Sequence, residues 1–279
     1  MTRSISSSAA AISAILVLAS CSRADDISPN VLVAVPDSVS LSSLHEQLPI
    51  HRMTGSPAAT RLEEARGLAI SECMGRLGYA YAPVAPTGPS DWLPPFGLER
   101  IDNRSGIQAE EPVEEPRNKA FGNALYGNPD RIITVSREGI SVSRPAEGCM
   151  AEVEKSLLGT SRETWIGLNI QLWQAQAKAF QRLSDDTQMK AANQAWSACV
   201  HREGIIASDP QELERRIQRK VDNGDIQTAV TDVHCKKTTR YLVIAYGRLA
   251  HFQRKELDRR PGVERRWLAL RDRQIINSR

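Results

Sequence analysis

Two cysteine–histidine pairs are the residues of this sequence with the clearest chemical potential. Cys199 stands two residues before His201, and His234 directly precedes Cys235. Two thiolates and two imidazoles are a ligand set that tetrahedral zinc accepts. Residues one or two positions apart on a helix point in different directions, so this spacing does not favour one shared metal. A disulfide is the alternative for the two cysteines, and we expect no metal site.

Other catalytic patterns give no stronger signal. The chain has no H-E-x-x-H, G-x-S-x-G, S-x-x-K, P-loop or G-x-G-x-x-G motif, so we predict no catalytic residue and no cofactor. Two carboxylates facing each other across a sugar can hydrolyse a glycosidic bond. Adjacent carboxylates, which a helix start or a solvated surface also explains, occur at Glu63-Glu64, Glu110-Glu111, Glu114-Glu115 and Asp185-Asp186.

The first twenty residues have the pattern of a secretory signal peptide. Arg3 is their one charged residue, and the small and apolar stretch Ala9–Ala19 follows it. Leu18-Ala19-Ser20-Cys21 resembles the bacterial lipobox, whose cysteine receives a diacylglyceryl group and becomes the first residue after cleavage. The alternative is an ordinary signal peptide, with Cys21 incidental. With two or more acyl chains, such as palmitate, Cys21 would anchor the protein to the extracytoplasmic face of the cell membrane.

The remaining four cysteines are an even number, which in an oxidising compartment indicates disulfides. Four cysteines allow three connectivities. We expect Cys73–Cys149 and Cys199–Cys235, which pair neighbours in the sequence, because shorter loops cost less entropy to close.

The composition and the hydrophobic periodicity predict a mainly α-helical, disulfide-stapled domain with a small β-hairpin insert and a long C-terminal helix. Apolar residues make up 41% and charged residues 25% of 279 residues, which excludes a wholly disordered chain. We expect a tether over residues 21–55 and a helical domain over 56–279, with subunits at 56–159 and 160–279.

Individual elements follow from local signals. Capping boxes at Thr60 and Thr160 predict helix starts. Two β-branched runs around a Gly139 turn predict a hairpin over residues 132–143. The helix after Thr160 has two apolar stripes, the second of which contains Trp173, so we expect it to pack on two sides. A long helix is expected from about Asp225 to Arg260, before the Pro261-Gly262 break.

A proline-rich segment over residues 82–117 excludes long helices there, since it holds seven of the fifteen prolines. Trp92 and Phe96 lie within it. These two aromatic residues either pin the segment to the domain core or form an interaction edge.

A nine-residue pattern occurs twice. Ser71–Tyr79 (SECMGRLGY) and Ser197–Ile205 (SACVHREGI) share the form S-x-C-[MV]-x-R-x-G-[YI]. Each places a cysteine shortly before a helix-ending glycine. The repeat indicates two similar helical units, each closed by one disulfide, or else convergence on a common type of helix end.

These cysteine contexts resemble a set of secreted lipoproteins of unknown function from actinobacteria. The resemblance covers roughly residues 60–250 and excludes the basic tail after Arg254. It implies an extracytoplasmic location and paired cysteines, and it carries no known activity. The segments that bear it are Cys73–Tyr79, Gly148–Glu152, Trp196–Cys199 and Ala229–Cys235.

The C-terminal segment is strongly basic. Residues 236–279 contain 13 basic and 4 acidic residues, a net charge of +9. Outside the cytoplasm the available polyanions are anionic lipids and wall polymers, so we expect no nucleic-acid partner. A solvated helix face and a protein partner are the alternatives. The candidate interaction residues are Arg259, Arg260, Arg265, Arg266 and Trp267.

The sequence therefore predicts a non-enzymatic lipoprotein of the cell envelope that binds or scaffolds a ligand or partner it does not identify. A cell-wall hydrolase with an unrecognised carboxylate pair is the alternative.

Overall fold

Helices account for most of the described chain, and the only strands among these residues form one hairpin. The computed structural model describes residues 40–83, 96–97, 119–219 and 226–278. In chain order the elements are α1 (Leu41–Gln47), α2 (Pro49–Thr54), α3 (Pro57–Arg76), α4 (Lys119–Tyr126), β1 (Ile132–Arg137), β2 (Ile140–Pro145), α5 (Gly148–Leu158), a 3-10 turn (Gly159–Ser161), α6 (Arg162–Asp185), α7 (Thr187–Arg202), α8 (Pro210–Arg219), α9 (Ile226–Thr238), α10 (Tyr241–Asp258) and α11 (Val263–Asn277). The predicted fold class is confirmed. Within these ranges no helix has both the length and the apolar character to span a membrane.

The domain begins earlier than the sequence patterns suggest. Ser40 caps α1 by accepting a hydrogen bond from the N–H of Ser43 (3.2 Å). Leu44 and Leu48 are buried in the same core as α10. The N–H of Ile50 also donates to a glutamine of α10 (3.1 Å). Residues 40–54 therefore belong to the helical body, and the part of the predicted tether that the structure describes is not a loose linker.

Two predicted helix starts differ from the structure. Ser56, rather than Thr60, caps α3 by accepting from the N–H of Ala59 (3.3 Å), and Pro57 occupies the first helical position. A proline at that position has the backbone angle a helix needs and lacks only a donor that would be unpaired there. The next predicted start, at Thr160, lies in the 3-10 turn that leads into α6.

The predicted hairpin is confirmed. β1 and β2 are antiparallel, with Val135 opposite Val142. Val135 packs against Ile166 and Ile170 of α6, so one face of the hairpin is apolar and joined to that helix. The other face carries hydroxyl pairs, at Thr134–Ser143 (2.9 Å) and Ser136–Ser141 (2.7 Å).

Both predicted disulfides are present. Cys73–Cys149 joins α3 to α5, and Cys199–Cys235 joins α7 to α9, with Cα–Cα distances of 5.6 and 5.7 Å. Of the two alternatives for the second pair, the structure has the disulfide, in which the sulfur atoms of Cys199 and Cys235 are bonded to each other. His201 and His234 are exposed beside this disulfide.

The repeated cysteine pattern forms the same helix end twice. Gly78 and Gly204 both have positive φ, +82° and +80°. In each copy the N–H of the next residue, Tyr79 or Ile205, returns to a helix carbonyl five residues earlier at 3.0 Å. That residue then packs against the core of its own half.

The similarity extends beyond the sequence pattern. Ser71 Oγ donates to the carbonyl of Tyr81 (2.8 Å), and Ser197 Oγ donates to the carbonyl of Ala207 (2.6 Å). Both serines thus fix a carbonyl ten residues later. With the matching disulfides, this supports two similar units, α3–α5–α6 and α7–α9–α10.

The predicted helix over residues 225–260 is wrong, because the chain turns sharply within it. α9 ends at Thr238, and Arg240 adopts a left-handed conformation with φ +56° before α10 begins. Thr239 Oγ1 donates to the carbonyl of Cys235 (2.7 Å), which satisfies an acceptor at the helix end. The turn lets α10 fold back against α9 and lie along α6.

The helix α11 joins the two predicted subunits. It packs against α3 and α5 of the first and against α6 of the second. Trp267 and Leu270 of α11 lie in one core with Trp165 and Leu168 of α6. The described residues therefore belong to one compact unit, in which the two predicted subunits pack together.

Candidate binding cleft

An open cleft of about 1000 Å³ lies between α3 and α6. The helices α5 and α11 pack against both walls and contribute Met150, Glu154, Trp267 and Arg271 to the base of the cleft. α2 and β2 border its remaining sides. A volume of this size matches the upper end of small-molecule sites in proteins.

One side of the cleft is apolar. Because side chains alternate along a strand, Ile140 and Val142 of β2 face the cleft together. Ile166 and Ile170 of α6 continue this surface. Trp173, one turn further along α6, also lines the cleft and is 61% exposed. A ligand that covers a large exposed tryptophan and the branched aliphatic side chains beside it binds favourably, because apolar surface is removed from water.

Two arginines supply hydrogen-bond donors to the cleft. Arg66 donates to Glu63 (2.9 Å) and to Gln274 (2.8 Å), but its Nε is buried and has no partner among the described residues. Arg144, on β2, is exposed and makes no ion pair with the described part of the chain. A buried donor without an acceptor is costly, so a ligand that accepts from Arg66 Nε would recover that cost.

The two carboxylates of the cleft are already in ion pairs. Glu63 accepts from Arg66, and Glu154 accepts from Arg162 Nε at 2.7 Å. The Glu154–Arg162 pair is largely buried, with both side chains under one-fifth exposed. Neither carboxylate therefore faces the cleft as an isolated acid or nucleophile.

A buried histidine closes one end of the cleft. His51 is 5% exposed and lies against Gly55, where a Cβ atom would collide with its imidazole ring. Burial lowers the pKa of His51 below its usual 6.5, and the charge of nearby His45 lowers it further, although Glu46 opposes this. His51 is therefore neutral in the folded protein at neutral pH.

The protein should lose stability on acidification through His51. Below about pH 6.5 the unfolded chain binds a proton at His51 that the folded chain resists, so the free energy of unfolding falls as the pH drops. His51→Gln lacks this protonation. Its melting temperature should therefore fall less than that of the parent protein between about pH 7.5 and about pH 5.5. The exposed His201→Gln is the control. An unchanged slope in His51→Gln would contradict the expectation.

Arg260, a predicted interaction residue, is instead buried in an ionic network. It is 7% exposed and contacts both carboxylate oxygens of Glu138, at the hairpin turn, at 2.9 and 2.7 Å. It also donates to Glu256 of α10 (3.0 Å), which Arg182 and Arg259 contact as well. Arg260 therefore fixes the hairpin to the end of α10 and is not available to a surface partner.

Trp267 and Phe96 are core residues too. Trp267 stacks on Trp165 with ring centroids 4.9 Å apart, and its Nε1 donates to Asn169 (3.0 Å). Phe96 is 2% exposed and packs edge-on against Tyr246 (5.1 Å). The core-pinning alternative for Phe96 is thus the one observed. Residues 1–39 and Trp92, including Cys21, lie outside the described residues.

Part of the basic charge of the C-terminal segment is paired with carboxylates within the fold. The exposed candidates Arg265 and Arg266 remain on the surface of α11, and Arg259 is exposed at the end of α10. Six cations among the described residues of this segment have carboxylate partners, Arg259 among them, and the ion pairs are Lys236–Asp232, Arg248–Asp186, Arg254–Glu264, Arg259–Glu256, Arg260–Glu138 and Arg271–Asp272.

Sequence patterns placed Trp173 in an apolar stripe that packs, whereas this side chain is exposed at the cleft. The sequence signal was that α6 has apolar residues on two sides. In the structure the hairpin covers Ile166 and Ile170 of the second apolar stripe and leaves Trp173 exposed. Arg66 and Arg144 carried no distinguishing pattern in the sequence.

A scan against protein-family models, a search of curated proteins and a search of solved structures each find no match for the chain. The described residues contain no group of three or more His, Cys, Asp or Glu side chains that could hold a metal ion.

Proposed function

We propose that this protein is a non-enzymatic, lipid-anchored binding protein of the extracytoplasmic membrane face, and that the cleft is its binding site. The observation that carries the binding role is the open cleft with an apolar wall and a buried donor at Arg66 Nε that is unsatisfied within the described ranges. The lipobox-like sequence ending at Cys21 supports the anchor. The two disulfides are compatible with an oxidising compartment.

The chemistry of the cleft favours binding over hydrolysis. A glycosidase needs one carboxylic acid that can give up a proton and a second carboxylate opposite it. Glu63 and Glu154 are the carboxylates that line the cleft, and each already accepts from an arginine. An arginine partner stabilises the ionised form and occupies the oxygens that a substrate would need.

Contact with an anionic surface belongs to the same proposal. Arg259, Arg265 and Arg266 are the exposed members of the predicted basic set. Exposed cations near an anchored chain attract anionic lipids or wall polymers, and salt weakens that attraction. Arg260 and Trp267 are not part of this surface, since both are buried.

The anchor is tested by Cys21→Ser. This variant should be released into the medium or remain unprocessed, because it lacks the thiol that would be acylated. Cell fractionation and intact-mass measurement provide the readout. Ser22→Ala, which leaves the lipobox-like sequence intact, is the control and should stay in the membrane fraction. Unchanged membrane association and unchanged lipid mass in Cys21→Ser would contradict the proposal.

A further inference from the structure

The two similar units differ at the place where the cleft lies. In the second unit α7 packs directly against α10, whereas in the first unit the cleft lies between the corresponding helices α3 and α6. Aligning the repeated patterns places Trp196 of α7 at the position of Ile70 in α3, and Asn193 at that of Gly67.

The side chains of the second unit account for this difference. Trp196 is fully buried and donates from Nε1 to Asp232 (3.0 Å), and Asn193 accepts from the hydroxyl of Tyr241 on α10 (2.8 Å). Ile70 and Gly67 line the cleft at these positions, and Pro83 covers Gly67. Among the described residues the second unit therefore closes the contact between its two helices with its own side chains, whereas the first unit has an open cleft that a ligand can enter.

The lining determines the chemistry of that group. Ile140 and Val142 present half-buried aliphatic side chains that offer no hydrogen bonds, and they pack against the nearly buried Ile166 and Ile170. A sugar chain would leave many of its hydroxyl groups without partners along such a surface. An acyl chain needs none, and its burial is favourable for each methylene group.

The charged side chains of the cleft indicate what the polar end of such a ligand must be. The carboxylates Glu63 and Glu154 are paired, and within the described ranges the ion pair with Glu63 leaves Arg66 with one free donor, its Nε. Arg144 is exposed and has no ion pair among the described residues, so it carries the unpaired positive charge of the cleft, and an anionic acceptor complements both donors.

We infer that the cleft binds an amphiphile that combines an acyl chain with an anionic carboxylate or phosphate head. The acyl chain lies along the wall formed by β2 and α6, under Trp173, and the head accepts from Arg144 and Arg66. This inference rests on the proposed binding role of the cleft and names its ligand class. A fatty acid and a phospholipid share this chemistry and differ in the head.

Titration calorimetry of the full chain carrying Cys21→Ser tests the inference, since any acyl group of its own is then absent from the cleft. The probes, each below its micelle concentration, are hexadecanoate, hexadecyl phosphate and hexadecanol. At least one anionic probe should bind one molecule per chain, about tenfold or more tighter than hexadecanol, because only a charged head pairs with the arginines. The tighter of the two anions identifies a carboxylate or a phosphate source.

Two variants locate the ligand. Arg144→Gln should weaken the anionic probe about tenfold and leave hexadecanol unchanged. Trp173→Ala should weaken all three probes. The controls are the exposed Arg202→Gln and Ile206→Ala, which lie on neither wall of the cleft. All four residues are exposed, and circular dichroism verifies that each variant folds.

The inference is overturned if none of the probes binds, if hexadecanol binds as tightly as both anions, or if Arg144→Gln has no effect. Saturable binding of an acidic amphipathic peptide, with no amphiphile binding, would assign the cleft to a protein partner and also overturn it. These results leave the anchor test unaffected, since membrane fractionation of Cys21→Ser does not depend on the ligand.

Discussion

Replacing Cys73 and Cys149 together by alanine lowers the free energy of unfolding by about 4 kcal/mol. The disulfide closes a loop with a sequence separation of 76, so its removal greatly increases the conformational entropy of the unfolded chain. Alanine avoids placing hydroxyl groups at two buried sites. Chemical denaturation followed by circular dichroism, without reductant, measures the change.

The second disulfide is the matched comparison. Cys199–Cys235 has a sequence separation of 36, and the loop-entropy relation gives a stabilisation smaller by roughly half a kcal/mol. Because α3 is one wall of the cleft, loss of Cys73–Cys149 should also weaken ligand binding, whereas loss of Cys199–Cys235 should affect binding less. A Cys73→Ala/Cys149→Ala protein as stable as the parent would contradict this account.

Replacing Arg260 by methionine should lower the free energy of unfolding by about 2 kcal/mol, because the buried carboxylate of Glu256 loses one of its three arginine partners and Glu138 loses a two-point contact. Glu256 is only 2% exposed, and Glu138 loses a contact to both of its oxygens. Methionine keeps the apolar stem of the side chain. Arg265→Met, an exposed arginine on α11, is the control and should change stability by less than about 0.5 kcal/mol.

The loss of stability in Arg260→Met should depend on pH. Hydrogen bonds from Arg260 lower the pKa of Glu138. Burial alone would raise the pKa of Glu256, but Arg260 and Arg182 hold it below its usual 4.5. Both carboxylates therefore add stability above about pH 4.5 that is lost as the pH falls through their folded pKa values. The gap between parent and Arg260→Met should narrow below about pH 4, and an equal gap at every pH would disprove the ionic origin of the effect.

Local chemistry decided which parts of the fold could be predicted. The hairpin and the glycine helix ends depend on a few neighbouring residues, and both predictions hold at Val135–Val142 and at Gly78. The disulfides were accessible because consecutive pairing gives the shortest loops. The start of α3 was misplaced because Ser56-Pro57 and Thr60 offer competing caps three to four residues apart.

Long-range contacts were not predictable in the same way. Arg260 and Trp267 lie in a basic, amphipathic segment, and only the position of Glu138, distant in the sequence, makes Arg260 a buried residue. The cleft also could not be predicted from the hydrophobic periodicity of the sequence. It lies between α3 and α6, whose relative position depends on their packing against α5 and α11 rather than on any local pattern.

The placement of the disulfides has a consequence for how the chain is oxidised. Each bond joins consecutive cysteines of the described domain, and no bond crosses between the two units. When the chain is made and exported with its N-terminus first, Cys149 can meet Cys73 before Cys199 has appeared. With Cys21 acylated, as proposed, native pairing of the other four cysteines follows the order of first encounter, and it needs none of the slow exchange that interleaved bridges require.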